Sequence, residues 1–150
     1  MARRKLTLAD ALAMKASAGH GEATAGKKTP RRHEEDDIQS GVVDWFGVIW
    51  PRFRRLIHHS PNEDAYKHAQ RAAALGMQKG FPDLFVAVPR GAYHGLFVEM
   101  KTPEGTASPE QREMLALLSG QGYACAIAHG QSTARTYITR YMELKEGETL

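Results

Sequence analysis

The sequence predicts an α/β fold, a mixed central β-sheet flanked by helices, and three observations predict it. Helix-period segments alternate along the chain with short apolar runs of strand length. Two of those runs, Asp83–Val88 and Gly95–Lys101, are separated only by the Pro/Gly turn "PRGAYH", which pairs them antiparallel. The 150 residues, 42% of them hydrophobic, suffice for the core of one domain.

Residues 1–32 read as a basic, flexible N-terminal arm, with a short helix over Thr7–Ala16 and a linker over Ser17–Arg32 that is rich in Gly, Ala, Thr and Lys and has no hydrophobic period. The folded body is expected over 33–150. It opens on "HEEDDIQSGVVDWFGVIW", where Ile38, Val42, Trp45, Phe46 and Ile49 recur at helical spacing and acids crowd the first turn, as the helix dipole favours. Pro51 ends that helix. "RFRRLIHHSPNE" reads as a short extended segment closed by a Ser-Pro-Asn turn. The Ala-rich "EDAYKHAQRAAALGMQ" is a second helix, stopped at or before Gly80. After the hairpin, "SPEQREMLALLSGQG" is a helix, "YACAIAHG" a strand and "QSTARTYITRYMELKEG" a closing helix.

The charge pattern bears on partners. Eight Lys or Arg fall within residues 1–33 against Asp10 and Glu22, a local net of +6 in a chain whose total is +3. Such an arm suits a polyanion, because each cation that neutralises a phosphate releases counterions. A solubilising tail and an organelle transit peptide are the other readings of the same composition. No apolar run reaches the roughly 20 residues a membrane span needs and no signal-peptide core opens the chain, so the expectation is a soluble, cytoplasmic protein with no membrane partner. Cys125, the one cysteine, has no neighbour at zinc-ligand spacing and reads as a small core residue.

The chemistry concentrates in "GFPDLFVAVPRGAYHGLFVEMK". On a strand alternate side chains share a face, so Glu99 and Lys101 point one way and Val98 and Met100 the other. Antiparallel pairing through "PRGAYH" brings Asp83 opposite the end that carries Glu99 and Lys101. Two carboxylates beside a lysine are costly to bury without a compensating charge, and a hard divalent cation supplies it. Asp83, Glu99 and the backbone carbonyl of Met100 are the candidate ligands. Lys101 is placed to orient a water or to stabilise charge growing on phosphorus. The same residues taken singly also fit a solvated Glu-x-Lys ion pair and a Pro-Asp turn.

In order and context these pieces resemble the VRR-NUC branch of the PD-(D/E)xK nuclease superfamily. The resemblance runs from about Glu35 to Tyr141 on "EDDIQ", "HHSPNE", "GFPDLFVAVPRGAYHGLFVEMK", "SPEQ" and "GYACAIAHG". It implies a restriction-endonuclease-like core and a Mg²⁺- or Mn²⁺-dependent endodeoxyribonuclease. Asp83 and Glu99 would hold the metal, Lys101 would assist the water or the transition state, Glu35 would add a helix acid and Gln111 a polar residue from the following helix. Glu35 also stands among Glu34, Asp36 and Asp37, acids that a helix N-terminus explains. Gln111 follows Ser108 by three residues with Pro109 between, a capping box in its own right.

His59 and Asn62 lie in the segment that the resemblance sets near the site, as candidate substrate contacts, although Asn62 also suits its turn. His58 and His59 face opposite ways on a strand and are not expected to share an ion. Arg52, Arg54 and Arg55 are candidates for phosphate contacts; Trp45 fits the apolar stripe of its helix. Stand-alone proteins of this kind imply a homodimer acting on branched DNA such as four-way (Holliday) junctions, in a bacterial or phage-infected cytoplasm. Looser cutting of flaps or duplex, and a catalytically silent DNA-binding module, are the alternatives. The intact Asp83, Glu99 and Lys101 set argues against the silent form, and the chain has no Gly-x-Ser-x-Gly elbow for acyl chemistry.

Overall fold

The structure, a computed structural model, describes residues 31–60, 74 and 76–150, with side chains from Asp37 onward. Residues 1–30 of the arm expected over 1–32, Asn62, most of the helix expected over Glu63–Gln78 and the side chain of Glu35 lie outside the described residues, while Arg31 and Arg32, expected in the arm, already belong to the first helix.

Helix α1 spans Arg31–Ile49. Gln39, Val42 and Phe46 form its fully buried stripe, and Ile38, Val43 and Trp45 pack at the margins. Trp45 therefore belongs to the core edge. A single 3-10 helix, Pro51–Leu56, follows with Pro51 in its first turn. Arg52–Leu56, expected to be extended, is thus helical, and the extended conformation begins only at Ile57. The proline ring presets a helical φ, Phe53 donates to the Trp50 carbonyl at 2.8 Å, and the Trp50 ring lies 5.1 Å from that of Phe46, so the turn is wound tight against α1 before a strand can begin.

Only Ile57–His59 remains for strand β1. Strands β2 (Leu84–Val86) and β3 (Leu96–Lys101) form the expected hairpin, helix α2 (Pro109–Gly120) crosses over, β4 (Ala124–His129) follows, and α3 (Gly130–Glu143) ends the element series. The sheet order is β1-β2-β3-β4. The first two pairings are antiparallel and β3–β4 is parallel, which is the mixed sheet expected.

The sheet has two chemically different faces. Leu84, Val86, Leu96, Val98, Met100, Ala124 and Ala128 point into the core, where α1 supplies Val42 and Phe46 and α3 supplies Ala134, Ile138 and Tyr141. Arg135 ties the two helices together, donating to the Gly41 carbonyl at 3.1 Å while its guanidinium lies 5.4 Å from the Trp45 ring. The Tyr141 hydroxyl donates to the Val88 carbonyl at 2.7 Å, and burial pushes its pKa up to about 12. The opposite face carries Phe85 and Phe97, stacked at 4.3 Å, with Tyr123 5.1 Å from Phe97. Burial of Cys125 on β4 raises its thiol to about 11, which makes it a poor nucleophile. No helix among the described residues is long and apolar enough to cross a membrane.

Candidate active site

The register places the site. Leu84 pairs with Val98 and Phe85 with Phe97, so one step further along each strand sets Asp83 against Glu99 on the aromatic face. Asp83 continues the ladder with its side chain, Oδ2 accepting from the Met100 N–H at 2.7 Å, while its carbonyl accepts from the Ser60 N–H at 2.8 Å. The carboxylate is thus fixed at the point where β2 begins.

Glu99 is fully buried. The Lys101 ammonium stands 2.6 Å from its Oε1, and the Gln111 amide donates to the same oxygen at 2.5 Å. Burial of a carboxylate on a central strand is tolerable only with such charge-assisted partners. Lys101 keeps 14% of its side chain accessible and so can reach a second anion as well.

Gln111 performs both jobs open to it. Its Oε1 accepts from the Ser108 N–H at 2.8 Å and its N–H donates to the Ser108 hydroxyl at 3.2 Å, closing the capping box, while its amide nitrogen holds Glu99. The electropositive first turn of α2 is thereby set beside the buried carboxylate. Two further contacts seat that turn against the loop before Asp83. Lys79 pairs with Glu110 at 3.1 Å. The Glu110 carboxyl is lowered to about 2, chiefly by its own backbone N–H, then by the Ser108 hydroxyl and Lys79. Gly80, at φ +81°, passes so close that a Cβ there would lie 2.7 Å from the Glu110 carbonyl. Both the dihedral and the space exclude a side chain.

Two other sets of candidates fall among the described residues. His59 is in register with Leu84 and so faces the α1 side of the sheet, where its Nε2 makes a short hydrogen bond with the buried Gln39. Arg52, Arg54 and Arg55 are exposed on the 3-10 helix that leads into β1. Ser108, which seats Gln111, and Gly80 were not singled out from sequence as site residues. The capping pattern was a signal for Ser108, whereas nothing local signals the close approach at Gly80.

The sequence and the fold find counterparts in known proteins. The family model for the VRR-NUC domain matches residues 24–132. A solved structure described as a VRR_NUC domain protein superposes with a TM-score of 0.67 at 31% sequence identity, covering 77% of this chain and 95% of that one. No curated protein matches.

Proposed function

This chain belongs to the VRR-NUC domain family, a nuclease-type fold, and on that premise we propose that it is a Mg²⁺- or Mn²⁺-dependent endodeoxyribonuclease acting on branched DNA. The single observation that carries the reading is the convergence of Asp83, the fully buried Glu99 and the partly accessible Lys101 at one end of the β2–β3 pair.

The donor set fits such an ion. Among the described residues no three His, Cys, Asp or Glu side chains gather into a cage, so the protein would contribute two carboxylates, Asp83 and Glu99, with the Met100 carbonyl. Mg²⁺ and Mn²⁺ favour oxygen donors, and Mg²⁺ readily takes one or two carboxylates while keeping several waters. When bound, the ion supplies positive charge to the phosphodiester and acidity to water. The residues supply the rest. Gln111 holds Glu99 in one orientation. Lys101, its charge anchored by Glu99, is placed to stabilise the phosphorane-like charge as the water oxygen bonds to phosphorus and one P–O ester bond breaks, the attacking water giving up a proton to solvent and the departing alkoxide taking one from solvent. Glu35, on the α1 turn preceding Gln39, is proposed as a further acid of the site, and the arginines of the 3-10 helix with the basic arm as phosphate contacts.

A homodimer with two such sites suits paired cuts in a roughly two-fold-symmetric four-way junction. Cleavage rates on a labelled four-way junction and on a linear duplex of the same sequence test this selectivity. Preferential cutting of the junction is the expected result. Equal cutting would discard branch selectivity, and tight binding without cutting in either metal would leave only a DNA-binding module.

Gln111→Glu separates the two jobs of that residue. Glutamate at the same position preserves the capping box but replaces the amide donor with a carboxylate aimed at the buried Glu99, so without divalent ion the melting temperature should fall although the cap is intact. Cleavage should fall by roughly tenfold or more. Melting curves and single-turnover rates check the two halves.

A further inference from the structure

Phe81 is a large aromatic residue left 43% exposed two positions before Asp83. Its neighbours in sequence are fixed. Pro82 is fully buried, Gly80 is wedged against the backbone of Glu110, and the Phe81 N–H reaches the Gln78 carbonyl at 3.4 Å. The ring meets Phe97 edge to face, with centroids 5.5 Å apart. Phe97 is 5% exposed and points to the same side of β3 as Glu99, two residues away, a strand distance of roughly 7 Å. A rigidly seated aromatic surface therefore flanks the carboxylates. The other exposed large hydrophobic residues among those described, Val48, Leu56 and Leu117, are aliphatic and sit on α1, the 3-10 helix and the exposed side of α2.

We infer that Phe81 is a stacking platform for an unpaired nucleobase beside the phosphodiester held at the site. The inference rests on the nuclease reading and adds to it a physical source of branch selectivity. A phenyl ring has no hydrogen-bonding group, so it recognises the flat face that every base possesses and reads no sequence. In continuous duplex those faces are covered by neighbouring base pairs. At a branch point or frayed end a nucleotide offers one.

The test uses the full chain without divalent ion, so that binding is read apart from cutting. The probe is branched DNA with 2-aminopurine at an unpaired position next to the branch, compared with a fully paired duplex of equal length. Wild type and Phe81→Tyr should quench the probe, Phe81→Ala should not, and Phe81→Ala should bind the branched DNA about tenfold more weakly with its duplex affinity unchanged. Undiminished quenching by Phe81→Ala, an equal loss on both DNAs, or a changed oligomeric state with unchanged quenching would each overturn the inference. Failure of wild type to bind either DNA here, together with failure to cut either in Mg²⁺ or Mn²⁺, would instead sink the nuclease reading itself.

Discussion

Glu99→Gln is expected to lower Mg²⁺-dependent DNA cleavage by on the order of a thousandfold while leaving the fold intact. The substitution keeps the shape of the side chain and an Oε1 that still accepts from Lys101 and Gln111, the two donors now 2.6 and 2.5 Å away. What disappears is one unit of negative charge from a two-carboxylate donor set. Single-turnover rates alongside the melting curve check both halves of the expectation, and a rate near that of wild type would remove Glu99 from the chemistry.

Lys101→Met carries the second large effect, on stability as well as rate. The Glu99 side chain is 1% exposed and the Lys101 side chain 14%, so the pair is largely withdrawn from water. Removing the ammonium leaves a buried carboxylate without its counter-charge, which should cost about 3 kcal/mol in urea unfolding without divalent ion. Adding Glu99→Gln to Lys101→Met should restore most of that loss, because the charge that lacked compensation is gone. A double variant no more stable than Lys101→Met would mean that the lysine acts through packing of its stem. Cleavage should be lost in both variants.

These two effects follow from residues whose arrangement was legible in the sequence, and the reason is geometric. Strand alternation fixes the shared face of Glu99 and Lys101, and the short turn fixes the antiparallel register that sets Asp83 against Glu99. Gln111 was legible as a cap from its spacing to Ser108, and the same local pattern turned its amide toward Glu99. Contacts that depend on chain segments far apart were not legible. The hydrogen bond between His59 and Gln39 joins residues 20 apart across the helix–sheet interface, and the seat of Gly80 on the first turn of α2 arises only once both elements pack. The 3-10 helix was hidden for another reason. "RFRRL" has neither helical nor strand periodicity, and its conformation is set by Pro51 and by the ring of Trp50 against α1.

Cleavage of the labelled four-way junction by wild type and by Asp83→Ala, each in Mg²⁺ and in EDTA, tests the central claim most directly. The account predicts cutting by wild type in Mg²⁺ alone and none by a folded Asp83→Ala variant, which keeps the β2–β3 pairing but lacks the carboxylate now bonded to the Met100 N–H. Equal cutting by the variant, or cutting by wild type that persists in EDTA, would contradict it.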